Sequence, residues 1–216
     1  MGSAVMSESE RERITTAGRT FPPEPLTPDE LAALIARCSL RAPTGVRNRA
    51  LIMLLSRSGV RINEALALKP ANVDFATHTA RVLHGKGDKA TVRGFHSSAD
   101  VALARWMETR KAYAAAHGWK NGPLFCTLEG GPLSDRYVRD LLKRLADKAG
   151  IDKRVHPHGL RHTFAWELEQ AGMPVSMISD LLGHSSIAVT ARYLKHLTNG
   201  QAVKALQDVD LPGLEG

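Results

Sequence analysis

Arg49 to Ser56, RALIMLLS, limits the fold of this chain more than any other stretch, because it is nearly all apolar. A helix with apolar side chains around most of its circumference must be enclosed by other elements. The run therefore predicts a helix buried on most sides. Ser58-Gly59 breaks it, and a short helix resumes from Ile62 to Leu68, stopped before Pro70. Gly and Pro at these positions are the expected punctuation. Arg61 consequently stands at a helix start directly after a buried helix, which is a stiff place to mount a functional arginine. Taken alone, an arginine there is more often solvated or salt-bridged than functional.

The remaining elements follow from the same kind of reading. Met1 to Pro25 is polar, charged and then proline-rich, and reads as a flexible arm. Residues 26–216 read as one folded unit, a size that can bury a substantial core. Its first helix lies in LTPDELAALIARC. Thr27 suits the cap, Pro28 the first helical position, and Glu30 completes a capping box. Thr79 to Phe95 reads as a β-hairpin turning through Gly85, Gly87 and Asp88. Val101 to Ala116 predicts a helix with an apolar stripe at Val101, Leu103, Trp106 and Tyr113. Leu124 to Cys126 suits a short strand. Ser134 to Ala149 predicts a helix capped by Ser134. Further helices are expected at His158–Ala171, Val175–Leu182, Ile187–Leu194 and Gln201–Leu206. The fold class is α+β: mostly α-helical, with one small antiparallel β-sheet.

Composition narrows the partners. The formal net charge of +7 and a pI near 9.7 favour a polyanion. Aromatic residues make up only 5 %, which argues against a single-strand stacking platform. Cys38 and Cys126 sit in apolar contexts, so neither a disulfide framework nor a cysteine-based zinc site is expected, and a reducing cytoplasm fits. No apolar run reaches membrane-spanning length, and the chain opens on no secretory signal.

The chemistry concentrates between His156 and Tyr193. HPHGLRHTF and the later LGHSSIAVTARY place His158, Arg161, His184 and Tyr193 in order on short predicted helices. Cationic and proton-carrying groups followed by a phenol suit attack on a phosphodiester, with the phenol as nucleophile and the nitrogen groups neutralising the phosphorane. Upstream stand Arg61, in SGVRINEAL, and Lys86, in HGKGDK. His158 and His162, four residues apart, also invite a zinc reading, with His156 and His184 as further ligands. The run lacks the glutamate of H-E-x-x-H, since Gly159 stands there. No metal and no cofactor are expected.

The ordered set Arg61, Lys86, His158-x-x-Arg161, His184, Tyr193 resembles that of the tyrosine recombinases, the phage-integrase-type site-specific recombinases. The resemblance runs from about Leu26 to Leu206. It implies the catalytic fold of that family and a DNA strand transferase that cleaves and rejoins through a 3′-phosphotyrosyl link and a Holliday junction. Tyr193, nine residues after His184, takes the place of the nucleophile. Arg61, His158, Arg161 and His184 take those of the phosphate ligands, and His158 also relays the tyrosine proton. Lys86 would protonate the 5′-oxygen leaving group, with Lys89 as its rival. Glu64 would orient Arg61 or a neighbouring helix, or form a plain surface pair. His162 matches a family histidine that either is structural or backs the groups in contact with the phosphate. One segment departs from the family pattern: ATVRGF stands where basic and proline-containing residues of the ER-x-VPL kind are usual.

The same resemblance implies double-stranded DNA as partner and a mostly monomeric free chain that forms dimers to tetramers on DNA. The C-terminal segment would dock into a neighbouring protomer. It leaves room for an accessory directionality factor, and implies a cytoplasmic, nucleoid-associated protein of a bacterium or phage. The family's usual N-terminal core-binding domain is not expected in a chain with so short an arm. Two other readings are weaker: a type IB topoisomerase-like relaxer, and a silent DNA-binding remnant.

Overall fold

The computed structural model describes residues 24–83, 90–119, 121–183 and 191. Helix α1, Pro28–Ala36, opens on the expected capping box. The Glu30 amide donates to Thr27 Oγ1 at 3.2 Å, and the Thr27 amide donates to Glu30 Oε2 at 2.7 Å. Leu31, Leu34 and Ile35 form its buried face. Helix α2, Pro43–Ser58, contains the apolar run but begins six residues before it. Its extra first turns bury Val46, and also Arg47 and Asn48, which sequence polarity would place outside. Arg47 is satisfied there by the Cys126 carbonyl at 2.9 Å, by Asn48 Oδ1, and by the Tyr137 hydroxyl. Buried polar groups persist when they are paired in this way.

Helix α2 packs against α4 (Asp100–His117) and α6 (Pro157–Gln170), and α1 packs against α5 (Asp135–Ala149). Ser134 caps α5 as expected, accepting from the Tyr137 amide at 3.1 Å. The short α3 spans Ile62–Ala67, and α7 spans Val175–Leu182. Three strands, β1 (Val73–Asp74), β2 (Thr79–Leu83) and β3 (Ala90–Gly94), form one antiparallel sheet in the order β1-β2-β3. Strands β2 and β3 pair where the hairpin was expected, and the turn expected at Gly85, Gly87 and Asp88 lies outside the described residues. The two-residue β1 is an addition, held by Val73↔Ala80 and Asp74↔Thr79 pairing.

Two expectations need correction. Val101 is 82 % exposed, so the buried stripe of α4 starts at Leu103 and continues to Trp106. The register is set by Trp106, which is wholly buried with its Nε1 donating to the Leu124 carbonyl at 2.8 Å. Leu124 to Cys126 forms no strand, only an isolated bridge between Cys126 and Pro132. These residues are buried as a plug beneath the helices, which explains their apolar character without a sheet. Cys38 and Cys126 are buried free thiols, and burial pushes that of Cys38 up to about 11. The helices expected at Ile187–Leu194 and Gln201–Leu206 lie outside the described residues, Ala191 excepted.

The turn after α2 carries the consequence for the site. Gly59 caps α2 with φ +60°, a left-handed conformation that favours glycine. A Cβ there would also meet Leu182 Cδ2 and Phe164 Cδ1, each at 2.7 Å. The chain thus reverses in tight contact with α6 and α7 and delivers Arg61 to the start of α3.

Trp106→Ala empties the largest buried site and orphans the Leu124 carbonyl. It is expected to cost about 3–5 kcal/mol. Urea unfolding should show a lower midpoint with little change in slope; a loss under about 1 kcal/mol would contradict this packing.

Candidate active site

Arg61, His158 and Arg161 come together in one cleft of about 540 Å³, which Glu64 and Arg139 also line. Lys86, its rival Lys89, His184 and Tyr193 lie outside the described residues. Each visible group has its own mount. Arg61 is the cap residue of α3, and its side chain is half exposed to the cleft. His158 and Arg161 project from the first turns of α6, three residues apart on one face. His156 caps that helix through its ring, with Nδ1 accepting from the Gly159 amide at 3.2 Å. The His162 ring is buried and meets that of His158 edge-on at 4.2 Å.

Glu64 is the organiser of the cleft. Its carboxylate is 8 % exposed and accepts from the Arg61 amide at 3.0 Å, from Arg61 Nη1 at 3.1 Å and from Arg93 Nη2 at 3.3 Å. Of the readings open for Glu64, the orientation of Arg61 fits this geometry and a surface pair does not. Burial alone would raise its pKa. The Arg61 amide and the Arg93 and Arg61 guanidiniums outweigh that and hold it below the ordinary 4.5.

Arg161 is held differently. It is 4 % exposed, and its two terminal nitrogens donate to backbone carbonyls, Nη1 to Gly59 and Nη2 to Leu182 at 2.8 Å. Burial, with the repulsion of Arg61 and Arg93, brings its pKa down to about 10, against a smaller opposing pull from Glu64. It remains charged at neutral pH. Partial burial, then the charges of Arg161 and Arg61, hold the His158 ring below its ordinary 6.5. At neutral pH His158 is therefore an uncharged base beside two guanidiniums. Cations gathered around a single carboxylate form a receptor for an anion, and the guanidinium fork matches phosphate oxygens.

Sequence reasoning missed two participants. Arg93, on β3, is 5 % exposed and pairs with Glu64. Arg139, on α5, lines both this cleft and an adjoining groove of about 720 Å³ that Lys143, Lys153, Arg154 and His156 also line. Arg139 pairs with Asp135 Oδ2 at 2.8 Å, and the i, i+4 spacing of that pair was visible in the sequence. Its place beside the cleft follows only from the packing of α5. The burial of Arg93 follows from the pairing of β3 with β2, where Arg93 lies opposite Ala80, and no local signal in the sequence gives it. Among the described residues no group of three or more His, Cys, Asp or Glu is placed to hold a metal, and no helix is long and apolar enough to cross a membrane.

Glu64 gives a pH-dependent prediction. Because its folded-state pKa lies below the unfolded one, its contribution to stability is complete above about pH 4.5 and is lost as pH falls through the lower, folded value. Glu64→Gln should cost about 3 kcal/mol at pH 7, since it leaves Arg93 buried without its partner. The gap between variant and parent should close on acidification below pH 4.5. Urea unfolding from pH 7 to pH 3 tests this, and a gap independent of pH would contradict it.

The chain has relatives among known proteins. The model of the phage integrase family matches residues 24–199. Tyrosine recombinase XerD of Corynebacterium glutamicum is 36 % identical over 179 residues, covering 82 % of this chain and 58 % of that protein. Tyrosine recombinase XerC of Bacillus pumilus is 36 % identical over 173 residues, covering 79 % and 56 %. The chain thus spans less than three fifths of the length of these relatives. Among solved structures, that of XerA recombinase superposes with a TM-score of 0.71 at 29 % identity, covering 90 % of this chain and 68 % of that one. That of XerH recombinase in a post-cleavage complex with palindromic difH substrate gives 0.71 at 28 % identity, covering 88 % and 54 %. A helical fold with a small antiparallel sheet, a cleft that joins Arg61, His158 and Arg161, and a family match over most of the sequence agree: the chain belongs to the phage integrase family.

Proposed function

We propose that the protein is a site-specific DNA recombinase that cleaves and rejoins double-stranded DNA through a covalent tyrosine intermediate. The observation that carries this reading is the convergence of Arg61, His158 and Arg161 in one cleft, in a chain whose relatives are tyrosine recombinases. The scissile phosphate sits between the two guanidiniums, each of which gives N–H donors to a non-bridging oxygen. His184 adds a further donor. Tyr193 attacks phosphorus in line. A bond forms between its phenolic oxygen and phosphorus, and the bond from phosphorus to the 5′-oxygen breaks. The tyrosine proton passes to His158, which is neutral at pH 7 and can accept it. The leaving 5′-oxygen takes a proton from Lys86. Reversal by the 5′-hydroxyl of a second strand rejoins the DNA, so the exchange needs no external energy source and no redox partner.

The net charge of +7 supports binding to duplex DNA. The groove beyond Arg139 is of mixed charge, with Lys143, Lys153 and Arg154 beside Asp140, Asp147 and Asp152. We infer assembly of two to four copies on paired sites. A palindromic site, like that bound by the XerH relative, offers two equivalent half-sites, which suits a pair of protomers. Such a substrate would place the protein at the nucleoid of a bacterial or phage-infected cell.

A nicked duplex that loses the leaving strand after cleavage should trap the adduct. Tyr193→Phe is expected to abolish the adduct while leaving DNA binding within a few-fold. On the same duplex, Lys86→Ala should cleave slowly and recover when the 5′-bridging oxygen is replaced by sulfur, because a thiolate leaves without a proton. An adduct that survives in Tyr193→Phe would move the nucleophile elsewhere, and no adduct with the unaltered chain would sink the recombinase reading.

A further inference from the structure

We propose that Arg93 is a positioning residue for strand cleavage, acting through Glu64 and the Gly183 turn; this role rests on the recombinase reading above. Arg93 does not line the cleft. It stands behind it, on the inward face of the sheet, where β3 pairs with β2 and Arg93 lies opposite Ala80. Ala80 and Val82 are each 1 % exposed, so this face is the core side of the hairpin. The small Ala80 side chain leaves space for a guanidinium.

Two contacts define the role. Arg93 Nη2 reaches Glu64 Oε1 at 3.3 Å, the same oxygen that receives Arg61 Nη1 at 3.1 Å. Arg93 thus fixes the carboxylate that aims Arg61. Its guanidinium also lies against Gly183, the left-handed cap of α7 at φ +64°, where a Cβ would overlap it. The Gly183 carbonyl is approached by Arg61 Nη2 at 3.5 Å, and the Leu182 carbonyl holds Arg161. Arg93 is therefore in contact with both supports of the phosphate clamp: the carboxylate beneath Arg61 and the turn that anchors Arg161. In sequence, Gly183 directly precedes His184. Among the described residues the Arg93 Nε is buried with no acceptor. A charged group buried with incomplete pairing is costly, so a plain stability role is a poor explanation for it.

Arg93 brings positive charge close to Arg61 and Arg161, and repulsion from it contributes to the lowered pKa of Arg161. An apolar side chain in its place would pack the sheet, but it would release Glu64 on one side and leave the Gly183 turn without its backing. The cleft would keep its residues and lose their aim. A loss of that kind reduces rate more than binding.

The experiment compares the unaltered chain with Arg93→Met, Arg93→Lys, Gly183→Ala and the Arg93→Met/Gly183→Ala double variant. For each, thermal unfolding, affinity for a duplex half-site and single-turnover cleavage of the nicked duplex at saturating protein are measured well below the lowest melting temperature. Arg93→Met should lower the cleavage rate by about tenfold or more with affinity within a few-fold. Arg93→Lys should recover most of the rate, because it restores a cation facing Glu64. Gly183→Ala should slow cleavage in the unaltered background and slow it less when added to Arg93→Met, since the overlap with the guanidinium is then gone and only the cost of the left-handed backbone at φ +64° remains. Arg93→Met cleaving at the parental rate would overturn the role, as would a lysine variant as slow as the methionine one with rates that follow melting temperature. Absence of cleavage by the unaltered chain would instead overturn the recombinase reading, and this role with it.

Discussion

One carboxylate oxygen, Oε1 of Glu64, receives two guanidiniums, Arg61 at 3.1 Å and Arg93 at 3.3 Å. Arg161 stands close enough to feel all three charges. Three buried or half-buried cations against a single anion would repel one another if nothing else held them. Like charges a few ångströms apart interact by several kcal/mol even at an effective dielectric near about 20. The fold supplies the restraint through backbone carbonyls, those of Gly59 and Leu182 for Arg161 and that of Gly183 for Arg61. The residual positive field points into the cleft, where an anion would complete it. Such a site is organised before an anion arrives, and under the proposed function it would have little to rearrange as charge develops on phosphorus.

The two glycine turns explain why the restraint is possible. Gly59 ends α2 and Gly183 ends α7, both with left-handed backbones, and each is packed too closely to accept a Cβ. Their carbonyls and that of neighbouring Leu182 are the acceptors for Arg61 and Arg161. The apolar helix α2 carries no reacting group, yet it sets the position of Gly59 and so of Arg61. Its contacts with α6 then place His158 and Arg161 opposite. Core packing and site geometry are the same set of contacts seen from two sides.

Much of this was legible in the sequence because strong local signals carry it. The capping box of Thr27 and Glu30, the apolar run, the hairpin strands between Thr79 and Phe95 and the Val175–Leu182 helix all depend on residues near one another in the chain. Arg61, His158 and Arg161 were singled out by their ordered motifs and the resemblance of that set to the tyrosine recombinases, and the structure brings them together. What escaped depended on long-range register. Hydropathy along ATVRG puts Val92 inward and Arg93 outward, yet Val92 is 58 % exposed and Arg93 is 5 % exposed. The pairing with β2, whose inward residues are Ala80 and Val82, fixes the opposite phase. Val101 failed likewise, because the phase of α4 is decided by where Trp106 finds its carbonyl. Arg47 and Asn48 are buried for a reason no local window contains, the carbonyl and phenol waiting 79 and 90 residues away.

The central claim is that Arg61 and Arg161 act on the charge of the scissile phosphate. It is tested most directly by replacing one non-bridging oxygen at that position with a methyl group, which removes the charge and keeps the shape. Loss of a donor aimed at a developing oxyanion costs on the order of 10²–10³ in rate. On the phosphodiester, Arg161→Ala should therefore cleave that much more slowly than the unaltered chain. On the neutral methylphosphonate duplex the two proteins should cleave at rates that differ far less, because the clamp has no charge left to neutralise. An equal loss on both substrates would contradict the account and would reduce Arg161 to a support for the Gly59 and Leu182 turns.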